Sequence, residues 1–377
     1  MRVWVVGRGL PTKSNGMLGS FELEQAQMLA KAGLDVCYFG ISVRSAKNLH
    51  KIGYFQDRID NVFVYSYNFP FGRVLSTEYT DKIFERSFKN LAAKAIQLNG
   101  APDIIHVHYP AQRPYSAFAR YQTAGVKIVA TEHWTKVQNK TIGKKNIENI
   151  KQFCHKCDSL ICVGSSLVTA IREITGTKKN IAVVPNVVNS NFICKPMEHE
   201  GIRFVAAGRL VHHKQFDKIA EAFVTQFSNA DDAFLTIAGN GEDYKKIEQL
   251  IKHSRMSNRV KLPGTLTREE MATVMASSDV LISYSKLETF CVPVIEAWMS
   301  GMPVIVSSIS PVALDYNDAK LGIFVDCDDI ITLKHAMKQM YKYSKQYDKC
   351  WISKFARANF SESAVANKLI GIYNSLV

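Results

Sequence analysis

"DVLISYSKLETFCVPVIEAWMSGMPVIVS", residues 279–307, decides the fold. Its opening run, "VLISYS", is apolar without alternation, the mark of a strand buried on both faces. A short loop follows. "PVIEAWMSG" then reads as a helix, with Pro293 suited to its first turn and Gly301 stopping it. "PVIVS" is a second buried strand. Strand, helix and strand in that order make a parallel pair with a crossover helix.

The same alternation runs along the whole chain. "RVWVVG", "DVCYFGI", "VFVYSY", "DIIHVHY", "KIVATEH", "SLICVG" and "IAVVPN" form one series. "RFVAAGRL", "AFLTIAG", "VKLPG", "VLISYS", "PVIVS" and "GIFVD" form another. Residues 186–202, "NVVNSNFICKPMEHEGI", separate them as a linker. The reading is an α/β chain of two Rossmann-like, doubly wound parallel-sheet domains facing a central cleft. Residues 1–190 form the first and 191–358 the second. Residues 359–377 are a docking helix, expected to pack back on the first domain. Ser361 is its N-cap, and Val365, Leu369, Ile372 and Leu376 make its apolar stripe.

The chain has 377 residues, 47% of them hydrophobic, which supports two cores rather than one. No apolar run reaches the roughly 20 residues that span a bilayer. "MRVWVVGRGL" is broken too soon by glycine to be a signal peptide and reads as a first strand. The expected location is cytoplasmic. Eight scattered cysteines fit reduced, buried thiols there. Cys154 and Cys157 form a C-x-x-C with no second pair, so no metal site is expected.

Charge is uneven. Residues 1–195 hold 26 Lys and Arg against 13 Asp and Glu, which is the whole net +13. Residues 196–377 hold 21 of each. Such a field attracts phosphates, anionic lipid or nucleic acid. The segment 136–156 carries six lysines and one acid. In "YTDKIFERSFKNLAAKAIQLNG", Phe84, Phe88, Leu91, Ala95 and Leu98 form a stripe beside Lys82, Arg86, Lys89 and Lys94. That stripe fits a sheet-covering helix first and a membrane-resting face second.

The chemistry gathers around residues 288–296. Glu288 lies in the loop after the strand, and Glu296 is expected in the first helical turn. Val292 cannot cap the helix, so its first N–H groups stay open to an anion. Carboxylates beside such a site accept hydrogen bonds from sugar and ribose hydroxyls. The pair also fits a helix-end glutamate next to a solvated loop residue. "FVAAGRLVHHKQFDKIAEAF" adds Arg209 and Lys214 in a strand-to-helix turn, two permanent cations for a diphosphate.

With those residues in view, the second half resembles the retaining glycosyltransferases of family 4, which have the two-Rossmann B-type fold. "AAGRLVHHKQFD", "LTIAGNGED", "VKLPGTLTREEMATVMASSDVLISYS" and "LETFCVPVIEAWMSGMPVIVS" occur in the family's order. The resemblance implies a nucleotide-sugar donor on the second domain and an acceptor mainly on the first. Arg209 and Lys214 would bind the donor diphosphate, Glu288 the hydroxyls of the transferred sugar, and Glu296 the ribose. Backbone amides of Thr289, Phe290 and Cys291 would contact sugar or phosphate. Gly239 and Gly241 would let the nucleotide approach, and Gly264 would flank the base. In "LPTKSNGMLGSFELEQAQMLAKAGLDV", Gly16 and Gly19 are the candidates for backbone approach to the diphosphate. His133, at a strand's carboxyl end in "IVATEHWT", fits the family histidine that reaches the donor sugar. Gln215 and Val187 stand where the family commonly has glycine.

The implied reaction transfers a sugar, preferably from a UDP-sugar, to a glycan or polyprenyl-diphosphate-linked acceptor with retention of configuration. No metal or cofactor is expected, because two cations neutralise the leaving group and no Asp-x-Asp motif is evident. The resemblance and the charge together imply bacterial surface-polysaccharide synthesis, peripheral to the inner face of the plasma membrane. Nucleotide-sugar 2-epimerases and glycan phosphorylases share the architecture and remain rival readings. A basic nucleic-acid-binding module is another, but it has no recognisable motif and leaves the glutamates unexplained, so no nucleic-acid partner is expected.

Overall fold

The computed structural model describes residues 1–11, 18–43, 52–70, 75–188, 191–195 and 197–377. Two compact units emerge: Met1–Val187 with Val365–Val377, and Val188–Ala364.

The first unit is built on an eight-stranded sheet. Its strands are β1 (Arg2–Gly7), β2 (Asp35–Val43), β3 (Gly53–Ile59), β4 (Val62–Phe69), β5 (Ile104–His108), β6 (Lys127–Glu132), β7 (Ser159–Cys162) and β8 (Ile181–Val183). They lie in the order β3-β4-β2-β1-β5-β6-β7-β8, parallel throughout except for the β3–β4 hairpin. The central strands are fully buried runs of Val, Ile and aromatic residues, as a sheet covered on both faces requires. β3 is the strand that sequence reading misses. "GYFQDRI" is largely exposed at the sheet's edge and has no apolar run to announce it.

Helix Thr77–Asn99 turns its stripe inward. Phe84, Phe88, Leu91, Ala92 and Ala95 are buried, and Phe88 meets Trp4 and Phe39. Leu98 departs from the stripe and is 60% exposed. Most of the apolar face therefore belongs to the core, and Lys82, Arg86, Lys89 and Lys94 face outward together with Tyr79, Ile96 and Leu98. The last helix, Glu362–Asn374, places Val365, Ala366, Leu369 and Tyr373 in the same core cluster as β1, β2 and β4. Ser361 Oγ accepts the Ala364 N–H at 3.2 Å. Cys154 and Cys157 are buried and His155 is exposed.

The second unit is a six-stranded parallel sheet. Its strands are β9 (Ile202–Ala207), β10 (Ala233–Ala238), β11 (Val260–Gly264), β12 (Val280–Ser283), β13 (Val304–Ser307) and β14 (Gly322–Val325). The order β11-β10-β9-β12-β13-β14 reverses direction between β9 and β12. In the first unit the corresponding reversal lies between β1 and β5. Open α/β sheets bind ligands beyond the carboxyl ends of strands at such reversals. Each unit thus has one predetermined place for a site.

Candidate active site

In the second unit the reversal brings together the loops after β9 and β12. Arg209 is exposed just beyond β9, and Lys214 ends a short 3-10 turn, His212–Lys214. Lys214 Nζ donates to Glu288 Oε1 from the other loop. Glu288 is buried, and Lys214 is its cationic partner. The Lys286 N–H donates to the His213 carbonyl at 2.8 Å and ties the two loops by backbone as well. Burial, followed by the neighbouring Lys214 charge, lowers the pKa of His213 below the ordinary imidazole range.

Gln215 explains its own departure from glycine. It sits at φ 54°, in the left-handed region that glycine adopts freely. Its amide Nε2 donates to the carbonyls of Tyr284 at 3.0 Å and Cys327 at 2.9 Å. One buried side chain thus joins the loops after β9, β12 and β14, and these bonds offset the backbone cost.

The helix after β12 is Val292–Met299, and its N-cap residue is Cys291 in the left-handed region at φ 72°. No side chain caps it; Pro293 has no N–H to offer and the Val294 N–H donates to the Cys291 carbonyl at 3.1 Å, so of the first three helical residues only Val292 brings an N–H not used in that turn. Cys291 Sγ lies 3.1 Å from Ser283 Oγ, and Phe290 is buried against Phe360. Thr289 is half-buried. Glu296 is the fifth helical residue, one residue further along than the sequence suggests and just past the first turn, because the helix starts before Pro293 rather than at it. It is half-buried.

The glycines divide. A Cβ on Gly239 would lie 1.8 Å from the Gly208 carbonyl oxygen, and one on Gly241 2.2 Å from that of Leu210. Both are required by the packing of two loops of this chain, whatever approaches from outside. Gly264 has φ +80° and nothing within 4 Å of a Cβ. Gly19 at φ 81° is needed because its Cβ would meet the Gly9 carbonyl oxygen at 2.1 Å. Gly16 lies outside the described residues.

In the first unit His133 follows β6. The buried Glu132 carboxylate accepts the N–H groups of Ala111, His133 and Trp134 at 2.9–3.0 Å, which pins the turn. Burial still keeps Glu132 above the usual carboxylate pKa. His133 Nε2 lies 2.8 Å from His108 Nδ1, and the Asn186 side chain bonds to the same ring. Tyr109 stacks on His133 at 4.9 Å, and the Arg8 guanidinium lies 3.5 Å from the Tyr109 ring centre. Arg8 Nε in turn donates to buried Glu22 at 2.8 Å. Burial first, then Arg8, takes the pKa of His133 down to about 3, and burial takes His108 there too. His133 is therefore a neutral imidazole at working pH. Gln25, His106 and His108 were missed by sequence reading. The signal was present: "IIHVH" puts two histidines two apart, on one face of an otherwise apolar strand.

Among the described residues, one group of metal-ligating side chains converges, Asp326, Cys327 and Asp328, with ligating atoms within 4.8 Å. Both aspartates are exposed, and Asp328 is paired with Lys286. No described helix is long and apolar enough to cross a membrane.

The family profile "Glycosyl transferases group 1" matches residues 195–354, and "Glycosyltransferase Family 4" matches residues 21–192. N-acetyl-alpha-D-glucosaminyl L-malate synthase of Bacillus anthracis is 24% identical over 288 residues, 73% of this chain and 74% of that protein. The matches span less than half the length of several other curated relatives. Among solved structures, sucrose-phosphate synthase of Thermosynechococcus elongatus gives a TM-score of 0.80 at 17% identity, covering 100% of this chain and 99% of that one. Anabaena HepE in complex with UDP and glucose gives 0.69 at 14% identity, covering 100% of both. These last two are likenesses of fold.

Proposed function

The chain belongs to glycosyltransferase family 4, and we propose that it moves a sugar from a nucleotide-diphosphate sugar to a hydroxyl of a glycan or polyprenyl-diphosphate-linked glycan, with retention of configuration. One observation carries this reading. At the β9–β12 reversal a lysine and a buried glutamate are paired, an arginine acts on the same neighbouring His213, and a helix begins without a side-chain cap.

Cleavage of the bond from the anomeric carbon to the β-phosphate oxygen sends the electron pair onto the phosphate. Arg209, Lys214 and the amides of Thr289, Phe290 and Cys291 neutralise that charge, the kind of fixed electrostatics that dominates catalysis. The acceptor oxygen bonds to the anomeric carbon from the face the phosphate leaves. Its proton passes to the departing phosphate oxygen. Glu288 holds sugar hydroxyls, Glu296 the ribose, and His133 the donor sugar. The two cations do the work a divalent metal would otherwise do, so the reaction proceeds in excess chelator. UDP is the preferred nucleotide, in keeping with the UDP held by HepE. The product role we assign is surface-polysaccharide synthesis at an anionic membrane face.

The test is thermal stabilisation by UDP-, GDP-, ADP- and dTDP-sugars in chelator, with Arg209→Ala and Glu288→Ala alongside. A hundredfold excess of ligand over Kd stabilises by about 2.7 kcal/mol. One sugar nucleotide should respond, and both substitutions should weaken it. Acceptor-free conversion of the donor to its epimer would replace transfer by epimerisation. A silent panel with saturable nucleic-acid binding would sink the proposal.

A further inference from the structure

His133 does not stand alone. His108 Nε2 and His106 Nδ1 each lie 3.2 Å from the same atom, the Gln25 amide nitrogen. His106 Nδ1 is also 2.6 Å from the Tyr373 hydroxyl, which the last helix supplies. His106 Nε2 lies 2.6 Å from Thr131 Oγ1. The rings of His106 and His108 stack at 4.6 Å, and those of His108 and His133 at 5.1 Å. His106, His108 and Tyr373 are at most 1% exposed.

This chain has a direction. An amide nitrogen carries two hydrogens and no available lone pair, so it donates to both rings. The Tyr373 O–H points the same way, onto His106 Nδ1. A neutral imidazole carries one N–H and one acceptor nitrogen. His106 accepting on Nδ1 has its proton on Nε2, facing Thr131. His108 accepting on Nε2 has its proton on Nδ1, facing His133 Nε2. His133 therefore accepts there and carries its own proton on Nδ1.

We infer that Gln25 and Tyr373 are positioning residues that fix His133 in one neutral tautomer, protonated on Nδ1: Gln25 acts through the ring of His108, and Tyr373 acts through His106, which holds the Gln25 amide as a donor. The third ring then presents an N–H donor of settled orientation, and Asn186 or a ligand oxygen can accept from it. That His133 serves transfer rests on the function proposed above; its tautomer does not.

The measurement is the nitrogen spectrum of the histidine side chains in the full-length protein labelled with 15N-histidine, the His133 signals being assigned by their loss in His133→Gln. The expected result is a protonated Nδ1 and an unprotonated Nε2 on His133. In Gln25→Leu the donor to both rings is gone, and His133 should shift toward a mixture of tautomers. Turnover in that variant should fall by about tenfold, the weight of one hydrogen bond, with the donor KM within about twofold. Tyr373→Phe should move the His106 signals first and the His133 signals less. A wild-type His133 protonated on Nε2 overturns the inference without any variant. So does a His133 spectrum that Gln25→Leu and Tyr373→Phe both leave unchanged. Full turnover in His133→Gln, with the expected spectrum in the wild type, would remove His133 from the transfer reaction and leave the relay standing.

Discussion

Lys214 and Glu288 pair across two loops, and substitution separates that structural pairing from the part proposed for them in transfer. Lys214→Met leaves a buried carboxylate without its cation. The expected loss is about 2–3 kcal/mol, below the full value for a buried pair because the Lys214 side chain is 22% exposed. Lys214→Met with Glu288→Leu removes both charges and should recover most of that stability while transfer stays abolished. Urea unfolding with an unchanged m-value reads the first quantity, and product formation reads the second. An equally unstable double variant would mean that something other than the pair holds these loops. The glycines give a parallel contrast. Gly239→Ala drives a methyl into the Gly208 carbonyl and should prevent folding or cost more than about 3 kcal/mol. Gly264→Ala meets nothing and should cost only about 1–2 kcal/mol of backbone strain. Donor affinity measured on Gly264→Ala therefore reports on a ligand contact rather than on folding.

At the scale of elements, β5 and the turn after β6 carry three histidines whose titration is expected to shape acid stability. His108 and His133 lie at about 3, and His106 is well below the ordinary value, all chiefly through burial. An unfolded histidine sits near 6.5. Below that pH the unfolded chain binds more protons than the folded one, so the stability these groups contribute is complete above about 6.5 and declines as pH falls. Each histidine should add a slope of up to about 1.4 kcal/mol per pH unit. Urea midpoints between pH 7 and 5, above the carboxylate range, isolate the effect, and His108→Gln should flatten it by one share. A profile already flat in the wild type would mean that these rings are charged in the fold. The strands were legible because buried parallel strands are written as unbroken Val and Ile runs. β3 was not, because an exposed edge strand leaves no such run. Lys214 and Glu288 were legible as residue types at strand ends, but their pairing was not, since 74 residues separate them. Glu296 was placed one residue early because Pro293 reads as a start, whereas the left-handed Cys291 that precedes the helix has no signature. Gly239 and Gly241 were read as glycines for the approach of a nucleotide, and the structure adds a requirement of its own: a side chain there would meet the chain's own backbone.

At the scale of the molecule, the net +13 that lies wholly within residues 1–195 has an outlet that the fold narrows. Helix Thr77–Asn99 was the candidate for resting in a bilayer by its apolar stripe. That stripe is spent in the core, and Lys82, Arg86, Lys89 and Lys94 are exposed on its other side. Helix Lys144–Lys156 likewise buries Ile150, Phe153 and Cys154 and leaves Lys144, Lys145 and Lys156 exposed. The first helix leaves only Tyr79, Ile96 and Leu98 as exposed large apolar side chains and the second leaves none, so the attraction these two helices can offer an anionic membrane is chiefly electrostatic. Each basic residue close to an anionic surface contributes about 1 kcal/mol, and the field decays over about 8 Å at physiological salt. The expected behaviour is sedimentation with phosphatidylserine vesicles at low salt, none with phosphatidylcholine vesicles, and release at about 0.5 M salt, where screening is several-fold shorter-ranged. Lys82→Glu with Lys89→Glu should weaken the attachment without changing donor-induced thermal stabilisation, because both lysines are exposed on helix Thr77–Asn99 of the first unit whereas the proposed donor residues after β9 and β12 belong to the second. Attachment that survives 0.5 M salt would require an inserted apolar segment. Equal binding to neutral vesicles would take the basic surface out of the acceptor's recognition altogether and leave the charge to the phosphates of a soluble substrate.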